Sequence, residues 1–237
     1  MVKDMKNDSN KARIYHLAFD LWNTTAYSLE RDPLIDLIDI LRFSSSLEIA
    51  DIQALIQTRE FISSRPFAEI CDLLEVPYCY KHEGKFRDLI ESERKGFKLF
   101  QDTLPVLKTA REIGLTVSLV SNLWNFCLPV VQEVFFSQFQ FDHVFFSFDI
   151  GSIKPSITFF KAIESVGISL SETLVVGDSL HSDILGAINA GSKAIWLKRD
   201  GSCSSPVVSE PFYSDRYLGS ITNLYQALEV VQKDLIN

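Results

Sequence analysis

The 237-residue sequence is short of cysteine, of positive charge and of long apolar runs. Its four cysteines, Cys71, Cys79, Cys127 and Cys203, are scattered, and no two form a CxxC pair. That argues against a zinc site and against a disulfide framework, so the four read as reduced, mostly buried thiols. Lys and Arg number 23 against 31 Asp and Glu, a formal net charge of −8. Such a chain offers no basic face for nucleic acid and none for an anionic membrane, so neither is an expected partner. A phosphorylated small molecule is not excluded, because a local site can be positive on an acidic protein. No apolar run reaches the roughly 18 residues of a membrane-spanning helix. The opening MVKDMKNDSNKAR lacks the apolar stretch of a signal peptide. The expected location is therefore cytoplasmic, which leaves the sequons at Asn7 and Asn23 without a secretory route. The oligomeric state is open.

What is present is an ordinary globular composition, 46% hydrophobic and 23% charged, ample for a sizeable core. Short apolar runs, each ending in a polar residue, read as buried parallel strands. They are Ile14–Phe19 before Asp20, Thr116–Val120 before Ser121, Val144–Phe146 before Ser147, and Thr173–Val176 before Gly177 and Asp178. Ala194–Leu197 reads as a further strand. Helical patterns lie between them at Leu104–Ile113, Leu128–Phe136, Pro155–Val166 and Asp183–Ala190, with Thr222–Leu235 closing the chain. Gly114, Gly167 and Gly191 stand where helix C-caps are expected. Alternating strands and helices predict an α/β fold with a Rossmann-like parallel sheet. Ligands of such sheets bind beyond the carboxyl ends of the strands, where these polar residues would converge. Residues 26–98 break the alternation with helical patterns at Leu34–Phe43, Ile52–Phe61, Phe67–Leu74 and Phe86–Phe97. The expected organisation is a core of residues 13–25 and 99–237, with an inserted α-helical cap domain over 26–98. Gly201–Pro206 reads as a loop, and the phenylalanines between Phe135 and Phe148 read as core.

Four polar groups now follow four predicted strands in order: Asp20 in FDLWNT, Ser121 in VSN, Lys154 in GSIKP, and Asp178 with Asp183 in VVGDSLHSD. This order and setting resemble the four motifs of the haloacid dehalogenase (HAD) superfamily, and the resemblance runs from about Ile14 to the end of the chain. It implies a HAD-like hydrolase of the phosphatase-like branch, with Asp20 as nucleophile forming an aspartyl-phosphate on a small phosphorylated substrate. It implies a Mg2+ cofactor held by the carboxylates of Asp20 and Asp178 and the backbone carbonyl of Trp22, with Asp183 as ligand or neighbour. Lys154 would neutralise the nucleophile and the phosphoryl oxygens. Ser121 and the backbone amide of Asn122 would bind those oxygens, and Thr24 resembles the threonine that steadies the first loop. The chemistry suits these residue types, because a carboxylate attacking a phosphate needs local positive charge.

One position departs from the pattern. HAD phosphatases usually carry a second aspartate two residues after the nucleophile as general acid and base, and here that residue is Trp22. Indole has an N–H donor and no exchangeable acid at neutral pH. Three readings stay open: a phosphatase with another proton donor, a 2-haloacid dehalogenase-like enzyme that needs no metal, and a non-catalytic homologue that binds phosphate or metal. Donor candidates are His181, His82 and Glu83, while His16 and His143 read as structural. Arg65 and Lys85 could reach a second anionic group of the substrate, but each reads first as a solvated charge.

Overall fold

The computed structural model describes residues 12–28, 33–41, 48–62, 64–199 and 214–236. Asn7, Cys203 and the loop expected at Gly201–Pro206 lie outside these. The chain opens on β1 (His16–Asp20) and β2 (Ala26–Tyr27), then runs through four helices, α1 (Pro33–Leu41), α2 (Ile49–Gln57), α3 (Pro66–Leu73) and α4 (Tyr80–Gly96). It returns through β3 (Lys98–Leu99), α5 (Thr103–Glu112) and β4 (Thr116–Ser121). Helix α6 (Leu128–Val131) continues as a π-type turn over Gln132–Phe136. Next come β5 (His143–Phe146), α7 (Ser147–Ile150), α8 (Ile157–Lys161) and β6 (Thr173–Gly177). A π-type turn over Leu180–Leu185 leads into α9 (Gly186–Ala190), β7 (Lys193–Leu197), β8 (Tyr217–Ile221) and α10 (Leu224–Ile236).

Six strands form one sheet in the order β5-β4-β1-β6-β7-β8, and each adjacent pair is parallel. The sheet is sandwiched, as an all-parallel sheet requires. The side chains of β1 alternate across it. Leu17 and Phe19 join a core that also holds residues of α5, α10 and the helices of residues 33–96, while Ala18 joins Phe159, Phe160 and Ile184 on the other face. The order places β1 between β4 and β6, so the chain leaves β1 toward one side of the sheet and later fills the other. That is a topological switch point, where a crevice opens at the carboxyl ends.

The expected strands and core helices form close to their predicted positions, with two additions. Edge strand β8 is half-buried with a glycine at Gly219, which left no apolar run to read. The ribbon β2–β3 pairs Ala26 with Leu99 and Tyr27 with Lys98, at the two ends of the helical insert. Two residues per strand are too few for any periodic signal. Helix α4 begins at Tyr80 rather than Phe86, because its first turns are solvent-facing and its buried stripe starts at Phe86. Among the described residues no helix is long and apolar enough to cross a membrane.

His16 is a packed core histidine, as expected. It is 1% exposed, with Nδ1 3.0 Å from Thr173 Oγ1 and Nε2 2.7 Å from Ser118 Oγ, so it links the three central strands. Burial, helped by His143 and opposed by Asp142, lowers its pKa to about 4. The unfolded chain, near the ordinary 6.5, binds the proton more readily. The stabilisation from the neutral ring is complete above pH 6.5 and is lost as pH falls toward 4. Denaturant unfolding should show wild type losing about 2 kcal/mol between pH 7 and pH 5 that a His16→Gln protein does not lose. Equal losses in both proteins would contradict this.

Candidate active site

Asp20 is the last residue of β1, 5% exposed, at the carboxyl edge of the sheet. The turn after it closes on itself: Thr25 N and Ala26 N both donate to Leu21 O, at 3.0 and 2.8 Å. Thr25 Oγ1 donates to Asp20 O at 2.9 Å. The loop-steadying hydroxyl is thus that of Thr25, not Thr24 as the motif resemblance implied. Thr24 Oγ1 is buried with no hydrogen-bond partner. It is the backbone of Thr24 that is held, its carbonyl accepting from Arg199 Nη2 at 2.7 Å and Nε at 3.2 Å. Arg199 also pairs with Asp102, at 2.9 Å from Nη2 to Oδ1, and lies over the Phe100 ring at 3.7 Å. Asp102 Oδ2 in turn accepts from Leu224 N at the start of α10, at 2.8 Å. The loop behind Asp20 is therefore fixed to the end of β7 and to α10.

Lys154 is brought to Asp20 from the loop between α7 and α8. Its ammonium lies 2.5 Å from Asp20 Oδ1 and 2.6 Å from Asp183 Oδ1, with all three side chains buried. Asn122 fixes the lysine's backbone, with Oδ1 accepting from Lys154 N at 2.8 Å and Nδ2 donating to Lys154 O at 3.2 Å. This side-chain clamp was not expected; the sequence pointed to the backbone amide of Asn122. Asp183 sits in the π-type turn after β6 and accepts from Ser179 N at 3.0 Å. Gly177 is required for this approach, since a Cβ there would stand 2.4 Å from the Asp183 carboxylate. Gly186 plays a similar part, because a Cβ there would stand 2.6 Å from Phe160 and 2.9 Å from Pro155 Cα.

Asp20, Asp178 and Asp183 each offer a carboxylate oxygen, and these atoms lie within 4.8 Å of one another. Burial, with the charge of Asp183 adding to it and Lys154 opposing, pushes the Asp20 pKa up to about 7. Burial and the charges of Asp20 and Asp183 push Asp178 up to about 8. Burial disfavours the Lys154 ammonium, but Asp183 and Asp20 together outweigh it and raise its pKa. Three carboxylates facing one ammonium form a site with a deficit of positive charge. Clustered oxygen donors with that deficit fit a hard divalent cation such as magnesium. Ser121 ends β4, fully buried, and its hydroxyl has no hydrogen-bond partner, as befits a donor held ready for a ligand.

Asp20, Lys154, Asp178 and Asp183 open into a cavity of about 330 Å³, which Ser121 does not line. Its floor includes Asp20, Lys154, Asp178 and Asp183, and its walls include Trp22, Asn122 and Trp124. The helical insert adds Leu34, Gln53, Gln57 and Glu93. Sequence reasoning missed Gln53, Gln57 and Glu93, which carry no motif and whose place depends on how the insert folds back. The proton-donor candidates His82, Glu83 and His181 do not line the cavity, and Glu83 accepts instead from the Tyr78 hydroxyl. Arg65 and Lys85 are exposed and do not line it either, and Arg65 lies 4.9 Å from the Tyr78 ring. Each reads from the sequence first as a solvated charge, and both are exposed.

Comparison with known proteins adds to this geometry. A family model described as HAD-hydrolase-like matches residues 153–224, the stretch that holds Lys154, Asp178 and Asp183. The glyceraldehyde 3-phosphate phosphatase of Pyrococcus furiosus is 38% identical over 95 residues, covering 40% of this chain and 38% of that protein. The chain thus spans less than half the length of that curated relative. Among solved structures, a HAD phosphatase from Thermococcus onnurineus covers 92% of this chain and 98% of its own, at 23% identity and a TM-score of 0.57. A 2-haloacid dehalogenase from Pseudomonas syringae pv. Tomato covers 93% of this chain and 99% of its own, at 21% identity and a TM-score of 0.58. At these identities the likeness is one of fold, and that fold carries both chemistries. In its parallel α/β core and in the stretch across its third and fourth motifs, the chain is similar to proteins of the haloacid dehalogenase superfamily.

Proposed function

We propose that this chain is a magnesium-dependent phosphatase of a small phosphorylated metabolite, with Asp20 as nucleophile. The observation that carries the reading is the buried cluster of Asp20, Asp178 and Asp183 around the Lys154 ammonium, at the floor of a 330 Å³ cavity. A carboxylate oxygen of Asp20 attacks phosphorus, the bond to the leaving oxygen breaks, and an aspartyl-phosphate forms; water then cleaves it. Lys154 holds Asp20 in place and offsets charge on the phosphoryl oxygens. The Ser121 hydroxyl and the Asn122 backbone amide bind the same oxygens. Asp20, Asp178 and the Trp22 carbonyl, with Asp183 beside them, would hold magnesium. When bound, the ion neutralises charge on the nucleophile and the phosphate.

Residues 26–98 serve, in this reading, as a cap that closes the cavity and selects the substrate. The cavity volume lies at the low end of ligand pockets, roughly 300–1,000 Å³, which suits a phosphate ester of a few carbons. The P. furiosus relative, named for a three-carbon phosphate, supports the same class. The dehalogenase reading fits less well, because without a cation the three clustered carboxylates repel one another. Trp22 is the observation that favours a binding-only homologue, since its indole supplies no proton for turnover.

Hydrolysis of p-nitrophenyl phosphate and a panel of sugar phosphates, with and without magnesium, tests these readings. Metal-dependent turnover is expected, with Asp20→Asn lowering it on the order of 10³-fold or more. Halide release from 2-haloacids without metal would instead support the dehalogenase reading, and magnesium and phosphate binding without turnover the binding-only one. In thermal melts, magnesium should raise the Tm of wild type and leave that of Asp178→Asn unchanged.

A further inference from the structure

If the chain turns over a phosphate ester, some group other than residue 22 must protonate the leaving oxygen. We infer that Glu93 of α4 is that group, donating its proton to the leaving oxygen from the insert side of the cavity and then accepting one from the attacking water. The inference rests on the phosphatase reading above.

Four carboxylates line the cavity among the described residues: Asp20, Asp178, Asp183 and Glu93. The first three form the cluster around Lys154, and Glu93 stands outside it. It is 2% exposed, on a helix whose residues otherwise average as strongly polar, so its burial is a property of its place and not of its neighbours. Its Oε1 accepts from Ser28 Oγ at 3.2 Å, one of its contacts. Ser28 directly follows the strand β2, and Glu93 stands five residues before Lys98 of β3. Since Tyr27 pairs with Lys98, the ribbon anchors Glu93 beside the loop that carries Trp22. Trp22 itself turns edge-on against Phe97, with ring centroids 5.4 Å apart, one residue beyond the end of α4. The indole and the carboxylate therefore approach the cavity from the same corner.

Two other walls point the same way. The buried Cys127 thiol lines the same cavity, and burial, with the neighbouring Glu93 adding to it, pushes its pKa up to about 12. Gln57 Oε1 is buried with no hydrogen-bond partner and lines the same space. It is an acceptor ready for a hydroxyl of the leaving group.

The proposed step balances. Asp20 forms the bond to phosphorus, the bond from phosphorus to the leaving oxygen breaks, and the Glu93 proton makes that oxygen an alcohol. The Glu93 carboxylate then takes a proton from water as the water oxygen attacks the aspartyl-phosphate. Inorganic phosphate leaves, with Asp20 again a carboxylate and Glu93 again an acid.

The dependence on leaving group distinguishes a proton donor from a structural residue. An alkyl phosphate needs protonation as its bond breaks, whereas p-nitrophenolate leaves without it. With Glu93→Gln, kcat/KM for an alkyl phosphate such as glycerol phosphate should fall roughly 10²–10⁴-fold. With p-nitrophenyl phosphate the same protein should release about one equivalent of p-nitrophenolate in a burst. Slow turnover should follow, with phosphate trapped on Asp20 after an acid quench, because the base for water is gone. Adding Trp22→Asp to Glu93→Gln should restore alkyl phosphate hydrolysis, which also shows that the doubly substituted protein folds. Equal loss on both substrates with no trapped intermediate and no rescue, or unchanged alkyl phosphate turnover, would overturn the assignment of Glu93 while leaving the phosphatase reading intact. Absence of turnover by wild type on both substrates would overturn the phosphatase reading and this inference with it.

Discussion

The site depends on one buried ammonium. Lys154 is 4% exposed and lies between Asp20 and Asp183, carboxylates 134 residues behind it and 29 ahead of it in the chain. Taking such a charge out of water costs several kcal/mol, and pairing in good geometry offsets it. Removing the ammonium leaves the buried carboxylates uncompensated, so the end of β1, the loop after α7 and the turn after β6 are constrained together. The surrounding details serve that constraint. Asn122 grips the lysine's backbone, Gly177 leaves room for the Asp183 carboxylate, and Gly186 lets the last of these segments close on Pro155.

The same constraint creates a need it does not meet. One ammonium among three carboxylates leaves the cluster short of positive charge, and burial pushes two of those acids toward neutrality. In the proposed reading Asp20 attacks as a carboxylate, and the arrangement fits a cation brought from outside. The network behind the site is rigid where this matters. Arg199 and Asp102 tie the Thr24 carbonyl to the end of β7 and to α10, and Thr25 closes the loop onto Asp20. The insert joins the same hydrophobic core as the sheet, so the walls it adds to the cavity share the scaffold of the floor.

Asp20, Ser121, Lys154, Asp178 and Asp183 were singled out because their order along the chain resembles the four motifs, and Asp20, Ser121 and Asp178 also follow apolar runs that mark buried strands. Parallel strands end on one edge, and polar residues at those ends must converge there. Thr25 was not legible beside Thr24, since one residue's shift in a turn decides which hydroxyl faces the backbone of Asp20. Strand β8 and the ribbon β2–β3 left no periodic signal, being half-buried or only two residues long. Glu93 was hidden in a run of charged residues, Glu91 to Lys95, that reads as a solvated face. Its burial comes from the ribbon that folds α4 back over the loop after β1.

By itself, then, the amino-acid sequence determined the alternation of strand and helix, the residues at the strand ends and the absence of an aspartate at position 22. These are local properties, set by burial pattern and by residue type at a fixed offset. The tertiary structure decided which side chains from the insert reach the cavity, which hydroxyl steadies the first loop and which of the polar groups holds a backbone instead of facing a ligand. The hydroxyl is decided by the local path of one turn, and the other outcomes depend on contacts between segments tens of residues apart, whose distance the spacing along the chain does not encode.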